Sequence, residues 1–469
     1  MPLDVQIDRD SRTPLPMQIG YSIRELVLTG KVGPGTRLPS SRVLSAQLSV
    51  ARMVVVQAYD WLLSEGYAES RHGTGTFIAE ELALPPDVPR HYAEPPRRTD
   101  IAPSTALSVD FRPGLPALDN FPKAEWRAAL GRVLSSAEDD IFGYGPIEGV
   151  PALRRSIAEY VSRARGLPYA PERVIITAGA AQALNLIMRI IDKARPVAIE
   201  DPSPVPVHNL IRMNGATLLP VPIDDSGIVV DALPSGRGAP ALVYLVPCHQ
   251  FPTGAVMSLQ RRLQALKWAV ENDSYIVEDD YDSEFRFDAS PPSSLAGLDR
   301  SDRVIYVGTF SKTLVPALRL GYLIAPEHLI ERLIDLKWWT DRGGPAIDQM
   351  ALADWMDSGF FDRHIYRMRK IYAERRKVMV DELETLFGDY VAIQGVAAGM
   401  HLMAVFPGAR DEDRIAREAR GRGVGVYPVG PTRITTAKTD PAFVFGYGNL
   451  TAAKIRRGLR IFHASVAAT

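Results

Sequence analysis

A single cysteine, Cys248, stands in 469 residues, so no internal disulfide framework is available and the chain suits the reducing cytoplasm. No run approaches the ~18 uncharged apolar residues that a membrane-spanning helix needs, and the opening MPLDVQIDRD has no basic leader followed by an apolar stretch. A cytoplasmic protein with no membrane partner is expected. An excess of one charge is also missing: 54 Lys and Arg face 55 Asp and Glu, a net charge of −1. Any contact with nucleic acid must therefore arise from local arrangement rather than overall charge. No fixed-period repeat is visible, and no metal ligand is assigned. Apolar residues are plentiful at 46%, enough at this length for two domains or more with large cores.

Ile19, Ile23, Leu26 and Val27 recur at helical spacing between Pro16 and Thr29, and Gly30 ends the pattern. LPSSRVLSAQLSV offers Ser40 or Ser41 as the N-cap of a second helix carrying Leu44 and Leu48. A third restarts at Ser49, turns Val55, Ala58, Tyr59 and Leu62 inward, and stops at Gly66. Two β-prone arms then flank Gly73-Thr74-Gly75. Three helices with a tight turn, followed by a hairpin, predict a winged helix-turn-helix over residues 1–79. Residues 80–108, dense in proline and charge without apolar periodicity, predict a semi-rigid linker. From 109 to 469, helical stretches such as GVPALRRSIAEYVSRARG alternate with the apolar runs RVIITAG, ALVYLVP, SYIVEDD and RVIYVGTF. That alternation predicts an α/β domain with a parallel-rich sheet buried on both faces.

The stretch LPSSRVLSAQLSVARMVVVQAYDWLLSEGYAESRHGTGTFI resembles the GntR superfamily of bacterial transcription regulators. The resemblance implies binding to duplex operator DNA. Arg42 and Arg52 open the second and third helices, where a reader of the major groove presents guanidinium groups to phosphates or guanine edges. Ser41 and Met53 stand beside them, and Arg71, Gly73, Thr74, Gly75 and Thr76 form the wing. The family usually has hydroxyl residues where this chain has Ala51 and Val54, which removes phosphate contacts.

In GTFSKTLVPALRLGY, Lys312 follows an apolar strand and lies near Thr309, Ser311 and Arg319: an amine suited to an aldehyde, and donors suited to a phosphate. Upstream, VEDDYDSEFRF ends a strand on Asp279, a carboxylate able to keep a pyridine nitrogen protonated, with Tyr281 able to hydrogen-bond a ring hydroxyl. ITAGAAQAL sets Gly179, Ala180 and Ala181 at a strand-to-helix turn, where backbone N–H groups face an anion. VPCHQFPTG adds His249 and Gln250, and YGPIEG adds Tyr144. In this order the pieces resemble the fold type I pyridoxal-phosphate enzymes of the aspartate aminotransferase group. The resemblance implies a large sheet domain with a smaller C-terminal α/β subdomain. It also implies pyridoxal 5'-phosphate held as an internal aldimine by Lys312, and a homodimer in which Tyr144 reaches the phosphate of the other subunit. Cys248 and His208 read as a buried small residue and a surface imidazole.

The whole arrangement resembles the MocR family, which implies a regulator sensing an amino compound or a pyridoxal vitamer through aldimine chemistry at Lys312. Three departures weaken turnover. Pro204 and Val205 stand where an aromatic often covers the cofactor ring, Ala180 brings no hydroxyl to the phosphate, and Val444 takes the place of the arginine that clamps a substrate carboxylate. Arg433 is the nearest substitute for that clamp and the expected effector contact. The alternatives are a working aminotransferase with a tethered DNA-binding module, and a DNA-binding protein whose second domain only dimerises.

Overall fold

The structure, a computed structural model, describes residues 3–82, 107–136, 138–287, 293–408, 411–435 and 440–469. It divides into two compact units, Met1–Pro103 and Ser104–Thr469. The division falls inside the expected linker, of which residues 83–106 lie outside the described residues. No helix among the described residues is long and apolar enough to cross a membrane.

In the first unit, α1 (Leu15–Leu28), α2 (Ser41–Leu48) and α3 (Arg52–Ser64) precede the antiparallel hairpin of β1 (Ala68–Arg71) and β2 (Gly75–Ile78). Ile19, Ile23 and Val27 sit at successive four-residue intervals and are fully buried, each contributing roughly 1.5–3 kcal/mol by leaving water. They face the stripe Val55, Ala58, Tyr59 and Leu62, whose inward orientation matches the helical spacing. Gly20 permits the close approach of α1 to α3, since a Cβ there would lie 2.6 Å from the Trp61 ring. Ser40, rather than Ser41, caps α2 by accepting from the Val43 N–H. The expected start of the third helix at Ser49 is corrected to Arg52: Ser49 takes a left-handed conformation, φ 52°, which breaks the chain between α2 and α3.

In the second unit the strands are β3 (Val109–Asp110), β4 (Val174–Thr177), β5 (Val197–Asp201), β6 (Leu218–Asp224), β7 (Gly227–Ile228), β8 (Leu242–Leu245), β9 (Tyr275–Asp280), β10 (Val304–Thr309) and β11 (Gly321–Ile324). Smaller strands follow: β12 (Ala392–Gln394), β13 (His401–Val405), β14 (Val424–Gly425), β15 (Tyr427–Pro428) and β16 (Ala442–Gly446). The large sheet runs β4-β11-β10-β9-β8-β5-β6-β7. Its centre, from β10 to β6, is parallel, while β11 and β7 run antiparallel to their neighbours. The small sheet, β12-β13-β16-β15, is antiparallel. Strands β4, β8 and β10 are buried almost throughout, as apolar runs covered on both faces must be. Helices α4 (Lys123–Ser136), α5 (Pro151–Arg165) and α6 (Ala180–Ile190) follow the first segments of the unit. In an open α/β sheet, ligands collect beyond the carboxyl ends of the strands. Here β4, β5, β8, β9 and β10 deliver Gly179, Pro204, His249, Asp279 and Lys312 within or just after those ends.

Candidate functional site

In the first unit the residues expected to read DNA gather around the start of α3. Its N-cap is Ala51, which makes no side-chain cap, and of the first-turn N–H groups that of Val54 donates to the Ala51 carbonyl at 3.0 Å. Arg42, Arg52 and Met53 are exposed, and Arg52 Nε donates to Ser41 Oγ at 3.1 Å, tying the first turns of α2 and α3 together. The wing turn has Gly73 at φ 74° and Gly75 at φ 120° with Thr74 and Thr76 beside them, and Arg37, not anticipated from the sequence, lies against Gly75. Arg71 is placed differently from expectation. It pairs with Glu69 at 2.6 Å and Glu80 at 2.7 Å and covers the Phe77 ring at 4.6 Å, which holds it within the wing.

In the second unit a cavity of about 570 Å³ is lined by Lys312, Asp279, Tyr281, Thr309, Ser311, Arg319, Ala180 and Ala181, with Pro204, Val205 and Val444 among its apolar walls. Lys312 is half-buried and its Nζ donates to the Gly114 carbonyl at 2.6 Å. Burial lowers its ammonium pKa from the ordinary lysine value, favouring the neutral, nucleophilic amine. Asp279 is buried. Its Oδ2 accepts from the Tyr244 hydroxyl at 2.5 Å while Oδ1 has no partner, and burial pushes its pKa up to about 6. A buried carboxylate oxygen without a donor fits a protonated ring nitrogen.

At the other end, Gly179 caps α6 with φ 94°, and a Cβ there would meet the Arg319 guanidinium at 3.2 Å. Arg319 donates to the Ala178 carbonyl at 2.5 Å. Thr309 Oγ1 accepts from the Ser311 N–H at 3.2 Å. A guanidinium, two hydroxyls and a glycine-capped helix N-terminus form an anion cradle. The donor set thus fits a phosphorylated pyridine aldehyde: amine, ring-nitrogen acceptor and phosphate cradle lie around one cavity.

Other expected residues are engaged differently or lie outside the cavity. Tyr281 lines the cavity, but its hydroxyl donates to the His249 carbonyl at 2.9 Å. His249 and Gln250 are buried and absent from the cavity wall. The Gln250 amide donates to the Pro202 carbonyl at 2.7 Å, so it braces the loop. Tyr144 is 82% exposed and lines no part of this cavity. Arg433 lies instead on a neighbouring cleft of about 740 Å³ beside Asp201 and Asp440, although the adjacent Thr432 reaches the Lys312 cavity. The expectation of a surface His208 is corrected: it is 3% exposed, on the inner face of the Val205–Met213 helix with Val207 and Ile211, and its Nε2 pairs with Ser203 Oγ at 2.8 Å.

Three contributors were not anticipated. Tyr244 sits within the apolar β8, where its hydroxyl was the only signal. Tyr427 lines the cavity and bonds Asp110 at 2.6 Å and Arg112 at 3.1 Å. His401 also lines the cavity. With His249 and Asp282 it places potential metal-ligand atoms within 4.8 Å of one another, although no metal was expected. His249 Nδ1 lies 3.1 Å from Asp282 Oδ2, and burial pushes the His401 pKa well below its ordinary value.

Glu200, on β5, is also buried. Its Oε2 accepts from the Val246 N–H at 3.1 Å, and burial pushes its pKa up to about 8. Between the unfolded value near 4.5 and about 8, the folded protein holds a proton that the unfolded chain has released. Stability must therefore fall as pH rises through that window. In Glu200→Gln, which keeps an acceptor for Val246, the melting temperature should fall less between pH 5 and pH 8 than in wild type. Parallel melting curves of the two proteins against pH would remove Glu200 as the cause.

The profile of bacterial regulatory proteins of the gntR family matches residues 16–78, and that of aminotransferase class I and II matches residues 114–444. The chain is 34% identical to the probable rhizopine catabolism regulatory protein MocR of Rhizobium meliloti, across 97% of this chain and 94% of that protein. It is also 34% identical to the HTH-type pyridoxine biosynthesis transcriptional regulator PdxR of Corynebacterium glutamicum, across 95% of each. The second unit is similar to the crystal structure of Pyrococcus horikoshii kynurenine aminotransferase in complex with PMP. The TM-score is 0.72 at 26% identity, covering 78% of this chain and 92% of that one.

Proposed function

The chain belongs to the MocR-type regulators, which join a GntR helix-turn-helix to an aminotransferase class I and II domain, and from that premise we propose that it is a cytoplasmic, homodimeric sensor. It binds duplex operator DNA through the first unit and pyridoxal 5'-phosphate through the second, and it responds to a small amino compound or vitamer. The observation that carries this reading is the composition of the Lys312 cavity: an amine, a ring-nitrogen acceptor and a phosphate cradle line it, while Val444 stands where an arginine would clamp a substrate carboxylate and Pro204 where an aromatic would cover the cofactor ring.

The cofactor supplies an aldehyde to which primary amines add reversibly, a basic ring nitrogen and a phosphate. Lys312 presents a half-buried amine to that aldehyde. Asp279 would hold the proton of the ring nitrogen, and Tyr244 fixes the carboxylate by its hydrogen bond. Arg319, Ser311, Thr309 and the first turn of α6 would hold the phosphate. An arriving amine competes with Lys312 and shifts the protein only if it interacts differently with two of its states. Sustained transamination requires more: a clamped carboxylate, an aligned bond and a placed proton acceptor. With Val444 in the wall, misplacement of about 1 Å costs roughly a hundredfold in rate. Absorbance changes on adding amines, with little oxoacid in the product analysis, are expected. Multiple turnovers at an ordinary rate of about 1 per second or faster would instead favour a working aminotransferase.

Tyr144 supplies a test of the dimer. Its exposed phenol suits a phosphate contact made across a subunit boundary, and losing one charge-assisted hydrogen bond, about 1.5–3 kcal/mol, should weaken cofactor binding roughly tenfold to a hundredfold. Mixing Tyr144→Phe with Lys312→Ala chains should then restore one site with wild-type affinity per heterodimer, measured by cofactor titration. A mixture that restores nothing would place Tyr144 within its own subunit's site.

A further inference from the structure

We infer that Met53 reads the 5-methyl group of thymine in the operator, making a methyl contact part of this protein's sequence specificity; the inference rests on the DNA-binding reading of the first unit. Met53 is 63% exposed, on the first turn of α3. The opposite face of that helix is accounted for by Val55, Ala58, Tyr59 and Leu62, all buried in the core. On the outer face, Ala51, Arg52, Met53 and Gln57 are exposed, and residues 53 and 57 are one turn apart, so they share a ridge. Val43, on the neighbouring first turn of α2, is another exposed apolar side chain, at 58%. The Arg52 to Ser41 hydrogen bond links these two turns.

The start of the second helix of a helix-turn-helix is the part that meets base edges in the major groove. There this chain offers a guanidinium, a carboxamide and a large thioether, with no hydroxyl at 51, 53 or 54. The major-groove edges of unmodified DNA carry hydrogen-bonding groups at every base pair but only one apolar group, the thymine methyl. An exposed methionine, flexible and polarisable, gains from covering that methyl. Against a base edge with only polar groups, it would desolvate them without return. The positive flank needed to bring the duplex there is supplied by Arg42 and Arg52, both exposed.

The test uses the full-length protein and duplexes selected by it from a randomised pool. Each thymine of a selected duplex is replaced singly by deoxyuridine, which keeps all the hydrogen-bonding groups and removes only the methyl. At one or more positions the wild-type protein should lose about fourfold in affinity, the equivalent of the ~0.8 kcal/mol gained by burying one methyl-sized group. Met53→Ala, altered at an exposed position, should bind the thymine and deoxyuridine duplexes equally at that position while keeping the wild-type dependence on salt. The inference is overturned if deoxyuridine costs nothing at any position, or if the loss persists unchanged in Met53→Ala. Either of those results leaves DNA binding standing. A pool that yields no selected duplex overturns both.

Discussion

In Lys312→Ala, the borohydride-reducible attachment of pyridoxal phosphate to the peptide Gly308–Tyr322 is expected to vanish completely. Lys312 is the only lysine among the described residues lining the cavity that also holds Asp279 and Arg319. Its Nζ is fixed by the Gly114 carbonyl at 2.6 Å, and burial favours the unprotonated amine. Alanine removes the amine and leaves the phosphate cradle and Asp279 intact. The variant should therefore still bind the cofactor reversibly, more weakly, and release it on dialysis. Mass analysis after reduction decides the matter: the same adduct on the same peptide in the variant would move the attachment to another residue.

Arg52→Ala should weaken operator binding by about fivefold to 150-fold, the consequence of losing one bidentate contact of ~1–3 kcal/mol. Arg52 Nε is tethered to Ser41 Oγ at 3.1 Å, which orients the guanidinium while leaving its terminal nitrogens for O6 and N7 of a guanine. Preference at one base position should relax in the variant. If affinity falls equally on all sequences and the salt slope shrinks by about one, Arg52 contacts phosphate instead. If neither quantity changes, Arg52 lies off the reading surface.

The cavity was legible in the sequence where chemistry coincided with the end of a strand. Lys312, Asp279, Gly179 and Arg319 all follow or end apolar runs, and the parallel sheet gathers such positions at one edge. Tyr244 and His401 carry no comparable local sign. Tyr244 lies inside a run that any buried strand would show, and His401 owes its position to β13 of the small sheet, whose approach to the cavity is a long-range event. The placement of Arg433 failed for the same reason. Asp201 accepts from the Ile434 and Thr435 N–H groups and so fixes the path of the chain just after it, a contact spanning more than 230 residues.

Arg71 is a different case. On a strand, residues two apart share a face, so the pairing of Glu69 with Arg71 is already written in the four residues AESR. Among the described residues the ion-pair partners of Arg71 are Glu69 and Glu80. In the helices of the first unit, spacing indicates which face turns inward, because the buried residues of α1 and α3 recur at intervals of three and four. The break at Ser49 eluded the same spacing because a left-handed residue interrupts the backbone without changing the hydrophobic period.

The most direct measurement is operator affinity with and without an amine that changes the absorbance of the cofactor-loaded protein, made in parallel on wild type and Lys312→Ala, with the products assayed in the same samples. A regulator of this kind should shift its operator affinity in the wild type alone, in step with the absorbance change and without accumulating oxoacid. Identical operator affinity with and without every amine that alters the spectrum, accompanied by sustained product formation, would contradict it.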